Sequence, residues 1–408
     1  MTPTSTVNGV VRPSGWLMRV ESSPTVALMS LAMSMRRKGI DVINLAAGEP
    51  DFDTPTPIRE AAKRAIDAGH THYTPAAGLP DLREGIARML SARTGLKYGM
   101  ENVAVTPGAK FAVYTSLAGL LEPGDEVLVP TPYWVSYPPI VEMLAGFARK
   151  VWAGPEQGFK VTATDLERSR TTRTRGLIFN SPCNPTGADY TRAEIEELAL
   201  WAAEHDVWIL ADEIYSELRF TASPFVSIAA CDPRGKDGVV INDGFSKSHA
   251  MTGWRLGYVA GAAPLVAGII RVLEQTTSNA SSISQHAALA ALTCDPQEVA
   301  RMRNAFRERR DAMYEMLRKL PDVIVTLPDG AFYFFVDVKA YLDRKLPSGL
   351  PVGTSEQLCT YLLEQHHIAL VPGEGFGAPG FLRLSFATDA ETLKRAVERL
   401  GAGLAALR

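Results

Sequence analysis

Short apolar runs alternate with segments of helical periodicity from Val103 onward. In chain order the runs are VAVT, EVLVP, GLIFN, VWILAD and VVIND. After the first run, apolar residues recur three or four positions apart, which predicts a helix over residues 109–121. Apolar runs that are separated by helices are typical of a mainly parallel sheet with helices on both faces. We therefore predict an α/β domain for this part of the chain.

Two helix starts are marked by their capping residues. Thr191 followed by Glu194 forms a capping box, and Asp295 before Pro296 is a favourable cap followed by a favourable first helical position. The helix that begins at Pro296 is predicted to be long, because its apolar residues keep helical spacing as far as Leu320. Local signals and periodicity therefore agree on where these helices begin.

The pattern changes after the long helix. Two strand-like runs, GAFYFFVDV and FLRLSFAT, have one helical segment between them and one after them, which predicts a smaller α+β domain. Within it, the turn-rich stretch from Asp343 to Thr354 is predicted to be an exposed loop. Residues Met1 to Pro13, rich in Thr, Ser and Pro, are predicted to form a loose arm. The predicted division is 1–47 for the arm and part of the small domain, 48–297 for the large domain and 298–408 for the small domain.

Composition and charge narrow the class of protein. The 408 residues carry 42 Lys and Arg against 45 Asp and Glu, a net charge of −3, which gives no reason to expect binding to nucleic acid or to an anionic membrane. The four cysteines lie far apart, without a Cys-x-x-Cys pair, and are interpreted as reduced, mostly buried thiols. The N-terminus lacks the pattern of a secretory signal, and the longest uncharged run, Leu256 to Ile270, is too short for a bilayer span. A cytoplasmic protein is expected.

Four polar features follow predicted strands, at the edge where open α/β sheets place ligands. The first is TPGAK, residues 106–110, which brings backbone N–H groups and Lys110 to a helix N-terminus and so suits a phosphate. The second is Asn184, which stands beside proline and presents an amide, or simply initiates a turn. Since strand-turn-helix junctions with glycine are common, each signal also has an ordinary structural interpretation.

The other two features are charged. Asp212 ends the run VWILAD, with Tyr215 three positions later, and a buried carboxylate there needs a cation, a hydrogen bond or a role as a helix cap. Lys247 shortly follows VVIND and precedes Arg255, although a single lysine is usually a solvated surface charge. Together the four features supply a phosphate site, an amide, an acid and an amine. This set suits the binding of pyridoxal phosphate and the use of a lysine Schiff base.

An ordered series of motifs makes the chain resemble a known family. From Arg19 to the C-terminus it is similar to class I aminotransferases of fold type I, and within them to the bacterial aspartate aminotransferase-like subgroup. The resemblance implies a seven-stranded, mainly parallel sheet in a large domain that binds pyridoxal phosphate. The motifs are NLAAGEPDFDTP from Asn44, HYTPAAGLPDLREGIA from His72, PYWVSYP from Pro132, NPTG from Asn184, DEIY from Asp212, SKSHAMTGWRLGY from Ser246, VPGEGFG from Val371 and LRLSFAT from Leu382.

The resemblance assigns a role to each of the reactive residues. Lys247 would form the Schiff base with the cofactor and then move a proton between the substrate's α-carbon and the cofactor. Asp212 would pair with the pyridine nitrogen and keep it protonated. Tyr215 and Asn184 would hydrogen-bond the phenolic oxygen of the ring. Trp134 would stack on the ring, although a tryptophan there equally fits the core or an interface.

The remaining assignments concern the substrate and the phosphate. Arg383 would grip the substrate α-carboxylate through its planar guanidinium, helped by the main chain at Gly48. Trp134 and Asn184 would line the substrate site as well. The partner subunit's Tyr73 would reach the phosphate, so the resemblance implies a homodimer with shared active sites. The phosphate itself would be held by Gly108, Ala109, Lys110, Ser246 and Arg255.

The activity implied by the resemblance is transfer of an amino group from an L-amino acid to a 2-oxo acid, in a ping-pong cycle that passes through pyridoxamine phosphate. Other pyridoxal phosphate reactions on the same fold, such as C–S β-elimination or amino-acid oxidation, use the same residues and stay open. Some relatives carry a lysine at the position of Ala118 to read an acidic side chain, so aspartate is not specified as the substrate. The loop from Asp343 to Thr354 is a second place where the side-chain preference is expected to change.

Two weaker patterns are set aside. Gly373, Gly375 and Ala378 have the spacing of a dinucleotide fingerprint, but a strand follows them instead of the helix that such a site needs. The adjacent His366 and His367 have no carboxylate or cysteine pattern beside them that would complete a metal site. Neither a nicotinamide cofactor nor a metal ion is therefore expected.

Overall fold

The computed structural model describes residues 13–15 and 24–408. The predicted arm, apart from its last residue Pro13, lies outside the described residues. The strands are β1 (Ile43–Asn44), β2 (Val103–Thr106), β3 (Glu126–Thr131), β4 (Phe147–Trp152), β5 (Thr174–Asn180), β6 (Trp208–Asp212), β7 (Val239–Gly244), β8 (Gly257–Ala260), β9 (Ile324–Val325), β10 (Tyr333–Asp337), β11 (Ile368–Ala369), β12 (Val371–Pro372) and β13 (Phe381–Ser385). The helices are α1 (Pro24–Arg37), α2 (Thr56–Asp67), α3 (Pro80–Thr94), α4 (Ala109–Leu120), α5 (Tyr137–Met143), α6 (Ala163–Ser169), α7 (Arg192–Glu204), α8 (Ala263–Thr276), α9 (Ser282–Leu292), α10 (Pro296–Leu317), α11 (Lys339–Leu342), α12 (Ser355–His366) and α13 (Ala390–Ala405).

The large sheet has seven strands in the order β2-β8-β7-β6-β5-β3-β4. Strand β8 is antiparallel to its neighbours β2 and β7, and the remaining pairs are parallel. All five apolar runs of the sequence are strands of this sheet, as predicted. Because β2, β5, β6 and β7 point the same way, their carboxyl ends meet at one edge.

Helices cover both faces of this sheet. Successive residues of a strand point to opposite faces, and Ala104 and Val105 accordingly belong to different hydrophobic clusters. One cluster adds buried residues of α3, α7 and α9, and the other adds buried residues of α4, α5 and α8. The predicted α/β architecture is therefore confirmed. The predicted caps are confirmed too: the Thr191 and Glu194 capping box starts α7, and the Asp295 side chain accepts a hydrogen bond from the amide of Gln297 at the start of α10.

Two strands of the large sheet, β4 and β8, were not predicted from the apolar runs. Strand β4 lies at the edge of the sheet, and most of its side chains are partly or fully exposed, so its sequence FARKVW is not uniformly apolar. Strand β8 is short, and its residues merge with those of α8 into one uncharged run along the chain. Periodicity alone cannot separate a short buried strand from the helix that follows it.

The C-terminal part of the chain forms a second, antiparallel sheet. Its strand order is β12-β13-β10-β9, and β10 and β13 are the two strands that the sequence predicts. Strand β1, near the N-terminus, pairs with β11 in a separate two-stranded sheet. A third hydrophobic cluster contains Leu45 together with residues of α10, α12 and α13. Residues 43–45 thus pack with the C-terminal part of the chain, while the domain boundaries at residues 47 and 297 stay a prediction.

The structure can be compared with the predictions for the loop, the cysteines and the glycine-rich segment. The loop from Asp343 to Thr354 is mainly exposed, as predicted. The four cysteines are free, but Cys359 is buried whereas the other three are partly exposed, so the thiols are less buried than predicted. Gly373–Phe376 is a short 3-10 turn that leads toward β13. In the described part of the chain, no helix combines the length and the apolar character needed to cross a membrane.

Close packing fixes the N-terminus of α4 against the sheet. Gly108, which precedes this helix, has φ of 90°, a conformation that favours glycine. Gly257, the first residue of β8, lies directly against it, since a Cβ built on Gly257 would be 2.5 Å from the backbone nitrogen of Ala109. The first turn of α4 therefore sits at the carboxyl end of β2, beside the ends of the parallel strands.

Gly257→Ala tests this close approach. The added methyl group would force β8 and α4 apart, and we expect the free energy of unfolding to fall by about 1–3 kcal/mol, the usual cost of overpacking. Urea or thermal unfolding measures the change. Gly253→Ala is the matched control, because no atom lies within 4 Å of a Cβ built there. An equal loss of stability in both variants, or no loss in either, would contradict this account of the packing.

Candidate active site

The four predicted features meet at one edge of the large sheet. Asn184 follows β5, Asp212 ends β6, Lys247 follows β7, and the first turn of α4 follows β2. These residues surround a cavity of about 330 Å³, a size that suits a small ligand. The predicted site residues that line it are Gly48, Ala109, Lys110, Trp134, Asn184, Asp212, Tyr215, Ser246, Lys247, Arg255 and Arg383.

Lys247 provides an amine inside the cavity. Its Nζ donates a hydrogen bond to the backbone oxygen of Gly48 at 2.5 Å and lies 5.9 Å from the centre of the Phe332 ring. Burial lowers the pKa of Lys247 to about 8, because the charged form loses solvation, and the nearby carboxylate of Glu49 offsets part of that effect. An amine with such a pKa has a substantial neutral fraction near pH 8 and is suited to nucleophilic or general-base chemistry.

Asp212 is a buried carboxylic acid whose nearest partner is uncharged. The hydroxyl of Tyr137 donates a hydrogen bond to Oδ2 of Asp212 at 2.7 Å, and the amide of Ile214 donates to Oδ1 at 3.4 Å. Burial raises the pKa of Asp212 to about 6, although the Tyr137 hydrogen bond opposes the rise. No ion pair to Asp212 occurs among the described residues. This arrangement fits a cationic ring nitrogen, which would supply the missing positive charge.

The N-terminus of α4 and Arg255 form a cradle for an anion. Backbone N–H groups in the first turn of a helix have no partner within the helix and favour phosphate. The guanidinium of Arg255 occupies the space that a side chain at Gly108 would need, since a Cβ built there would lie 2.5 Å from Nη2. Lys110 adds a second positive charge beside the cradle, with its Nζ 5.0 Å from the centre of the Trp134 ring. Burial, and then Arg255, lower the pKa of Lys110.

Arg383 presents a buried guanidinium without a carboxylate partner in the described part of the chain. Its Nη1 donates to Oδ1 of Asn184 at 2.9 Å, and its Nη2 donates to the backbone oxygen of Ala46 at 2.9 Å. Its Nε has no hydrogen-bond partner among the described residues. Arginine binds carboxylates through two parallel hydrogen bonds. A buried arginine that is only partly satisfied is therefore suited to bind a ligand carboxylate.

The aromatic residues complete the walls of the cavity. Trp134 packs edge-to-face on Tyr137, with ring centres 5.3 Å apart, and both rings line the cavity. The hydroxyl of Tyr215 lies 3.0 Å from the hydroxyl of Tyr333. Since Oδ1 of Asn184 already accepts a hydrogen bond, this side chain would donate to a ring oxygen through its amide nitrogen. The residues present thus fit a flat, phosphate-bearing pyridine ring such as that of pyridoxal phosphate.

Some predicted features lie away from the cavity. Tyr73 is 90 % exposed and does not line it. Ala118 lies on α4 about two turns beyond Lys110 and does not line it either, and its bearing on the substrate stays a prediction. The loop over residues 343–354 borders a different cleft, of about 1200 Å³, together with α12. The influence of this loop on the side-chain preference stays a prediction.

The sequence analysis gave no role to seven of the residues that line the cavity, and three of these carry side chains that bear on the site. Asn180 is the last residue of the run GLIFN, and its place at a strand end was a usable signal. Tyr137 lies in the quoted motif PYWVSYP, but nothing in that motif shows that its hydroxyl reaches Asp212. Tyr333 lies in the strand GAFYFFVDV, where a buried tyrosine looks like an ordinary core residue. Its contact with Tyr215 depends on the packing of the two sheets.

Asp212→Asn tests the cost of burying this acid in the protein freed of cofactor. Because folding raises the pKa of Asp212 from 3.8 to about 6, the folded chain binds more protons between these pH values, and stability falls as the pH rises through that window. At pH 8 the variant is expected to be more stable than the unmodified protein by on the order of 3 kcal/mol, and at pH 3.5 by little or nothing. Urea unfolding at both pH values measures the difference.

The matched control is Asp67→Asn, at the exposed end of α2. This variant is expected to gain no stability at either pH, because its carboxylate keeps its solvation. If Asp212→Asn is less stable than the unmodified protein at pH 8, or if its gain is the same at both pH values, Asp212 does not carry the burial cost proposed for it.

Comparison with known proteins agrees with this geometry. The family model described as aminotransferase class I and II matches residues 40–400. The chain is 42 % identical over 395 residues to the aspartate/prephenate aminotransferase of Cereibacter sphaeroides, covering 97 % of this chain and 99 % of the relative. It is 43 % identical over 378 residues to the aspartate aminotransferase of Geobacillus stearothermophilus, covering 93 % and 95 %. The crystal structure of the aspartate aminotransferase from Rhizobium meliloti superposes with a TM-score of 0.93 at 37 % identity, covering 97 % of this chain and 100 % of that one. The chain therefore belongs to the class I and II aminotransferases and has their fold type I architecture.

Proposed function

We propose that this chain transfers an amino group from a dicarboxylic L-amino acid to a 2-oxo acid, with pyridoxal phosphate as its cofactor. One observation carries the proposal. An amine, a carboxylic acid and a guanidinium, each without an ion-pair partner among the described residues, line the same cavity. They are Lys247, Asp212 and Arg383. Membership of the aminotransferase family supports the same reaction.

The cofactor would be held at both of its ends. Gly108, Ala109, Lys110, Ser246 and Arg255 would bind the phosphate, since they combine helix N–H groups, a hydroxyl and two cations. The Asp212 carboxylate would bind the protonated ring nitrogen. This new ion pair would lower the pKa of Asp212 again. Tyr215 and Asn184 would donate hydrogen bonds to the ring oxygen, and Trp134 would cover one face of the ring.

Lys247 would act as the base and the acid in the reaction. When bound, the cofactor supplies an aldehyde that joins to an amine and a ring that accepts the electron pair left at the α-carbon. Lys247 would take the proton from the substrate's α-carbon and return it at the cofactor. The lowered pKa of about 8 suits both directions of this transfer. The hydrogen bond to Gly48 holds Nζ in place before substrate binds.

Arg383 would orient the substrate for this proton transfer. Its guanidinium lies on the wall of the cavity and is fixed by Asn184 and Ala46, so a bound carboxylate would meet a rigid partner. The backbone at Gly48 would lie beside the same carboxylate. Fixing this end of the substrate places the α-carbon near Lys247, which is a positioning contribution to the rate.

The preference for a dicarboxylic donor rests on the relatives. Of the four basic residues on the cavity wall, Lys110 and Arg255 would bind the phosphate, Lys247 would join to the cofactor and Arg383 would bind the α-carboxylate. The similar proteins from Cereibacter sphaeroides and Geobacillus stearothermophilus are both named for aspartate. Aspartate is therefore the donor that we expect to react fastest.

The cytoplasm is the location that we propose. All four cysteines in the described residues are free thiols, which is typical of a reducing compartment. Cell fractionation checks this assignment, and recovery of the protein outside the cytoplasm would contradict it.

We further propose a homodimer in which the partner subunit's Tyr73 reaches the phosphate. Tyr73 is 90 % exposed, so its side chain is free to meet a second subunit, and the family resemblance is what assigns it to the phosphate of that subunit. Sedimentation should give twice the mass of one chain. Tyr73→Ala should weaken binding of pyridoxal phosphate about tenfold, or roughly 1.4 kcal/mol, while His72→Ala at the exposed neighbouring position should not. A monomer, or unchanged affinity in Tyr73→Ala, would contradict the proposal.

Product analysis tests the proposed reaction. With pyridoxal phosphate, aspartate and 2-oxoglutarate, the protein should form oxaloacetate and glutamate in equal amounts, without release of ammonia or uptake of oxygen. Alanine should be a slower donor, because it lacks the second carboxylate. Lys247→Ala should lower turnover by about a thousandfold or more, because the base is lost.

Lys319→Ala, at an exposed position after α10, is the matched control and should keep full activity. Release of ammonia would favour elimination, and oxygen uptake would favour oxidation. Either result, or full turnover in Lys247→Ala, would contradict the proposed function.

A further inference from the structure

Tyr333 is a buried cavity residue for which the proposed reaction gives no role. It lies on β10 in the small antiparallel sheet, it is fully buried, and yet it borders the cavity at the edge of the large sheet. A buried tyrosine hydroxyl needs a hydrogen-bond partner. Here the partner is the hydroxyl of Tyr215, 3.0 Å away, which belongs to the segment after β6. A residue of the small sheet and a residue that follows a strand of the large sheet thus share one hydrogen bond beside the cavity.

The direction of this hydrogen bond follows from counting protons. Each tyrosine hydroxyl has a single proton to donate. If Tyr215 donates its proton to a ring oxygen of the bound cofactor, it has none left for Tyr333. Tyr333 must then donate to the oxygen of Tyr215. A hydroxyl that accepts one hydrogen bond while it donates another is polarised and becomes a stronger donor.

The ring of Tyr333 makes a second contact that bears on the substrate. The guanidinium carbon of Arg383 lies 4.4 Å from the centre of the Tyr333 ring, on the neighbouring strand β13. Tyr333 pairs with Ser385 and Arg383 pairs with Phe335, so Tyr333 and Arg383 are diagonal neighbours on one face of the sheet. Stacking on the ring limits the positions that the guanidinium can take.

The hydroxyl of Tyr333 also lies close to the backbone that holds Lys247. A Cβ built on Gly48 would be 3.3 Å from the Tyr333 oxygen, and the Gly48 carbonyl accepts the hydrogen bond from Lys247. The Tyr333 hydroxyl therefore lies beside both Tyr215 and the backbone that binds Lys247. The charged groups that act on the tyrosine pair are Arg383 from β13, Asp212 from β6 and Glu49 from the segment after β1.

We propose that Tyr333 is a positioning residue of the active site, which acts through Tyr215 by its hydroxyl and through Arg383 by its ring. The inference rests on the proposed function, because it assumes that Tyr215 meets the cofactor and Arg383 meets the substrate. Its hydroxyl sets the strength of the hydrogen bond to the ring oxygen. Its ring sets the position of the carboxylate-binding guanidinium. A single residue of the small sheet thereby influences both the binding of the cofactor and the binding of the substrate.

Removing the hydroxyl tests the first part. Tyr333→Phe, Tyr215→Phe and the unmodified protein are loaded with pyridoxal phosphate, and the visible absorbance is titrated with pH. The hydroxyl of Tyr215 and the chromophore's own proton compete for the ring oxygen. If the hydrogen bond from Tyr215 is weakened, the chromophore keeps its proton to a higher pH. Tyr215→Phe should raise the midpoint most, and Tyr333→Phe should raise it by about half a pH unit.

Tyr361→Phe is the matched control, since this buried hydroxyl in the small domain contacts His366 and Gly403 instead of the cavity. Its midpoint should equal that of the unmodified protein. Thermal unfolding of each loaded variant shows whether the fold is kept. An unchanged midpoint in folded Tyr333→Phe would overturn the role of the hydroxyl.

Removing the ring tests the second part. Tyr333→Phe keeps the stacking surface, so KM for aspartate should stay within about twofold of the unmodified value while kcat falls. Tyr333→Leu loses the ring, and KM should rise about tenfold. An unchanged KM in folded Tyr333→Leu would overturn the role of the ring.

The failure of this inference can be told apart from failure of the proposed function. If the unmodified protein shows no visible band with pyridoxal phosphate, or does not transfer an amino group, the proposed function fails and the inference fails with it. If the unmodified protein reacts and titrates but the Tyr333 variants match it, the inference alone fails.

Discussion

Burying ionised groups without an opposite charge is the constraint on which this site depends. Asp212, Lys247 and Arg383 line one cavity, and none of them is in an ion pair within the described chain. Each such group costs free energy, because solvation is lost and no nearby charge restores it. The pKa of Asp212 rises and that of Lys247 falls for this reason. A ligand that brings a ring cation and a carboxylate would supply two of the missing partners.

The residue after Asp212 is a buried carboxylate that does have an ion-pair partner. Glu213 follows Asp212 directly, but it is paired with Arg93 at 2.7 Å, and the same guanidinium reaches Asp243 at 3.0 Å. Ser227 donates a further hydrogen bond to Glu213. Two adjacent buried acids therefore differ in their partners, since Glu213 is in an ion pair and Asp212 is not. Burial raises the pKa of both, to about 7 for Glu213 and to about 6 for Asp212.

Much of the site is predictable because strand ends are predictable. The apolar runs locate β2, β5, β6 and β7, and the parallel order brings their carboxyl ends together, so Lys247 and Asp212 could be identified from position and residue type. The roles of the phosphate and substrate residues came from the family motifs, since a lone arginine such as Arg383 has no distinguishing local pattern. Edge strand β4 and short strand β8 were missed, because neither shows a separate apolar run. Tyr333 was missed because its function depends on contact between two sheets, which no local pattern encodes.

The central claim is that Lys247 is the amine that joins to pyridoxal phosphate. Reduction of the loaded protein with borohydride, followed by peptide mapping, tests this claim most directly. The account predicts that the phosphopyridoxyl group is found on Lys247, in the peptide that contains SKSHAMTGWR. A label on Lys110, which lines the same cavity, or no labelled lysine at all would contradict the account.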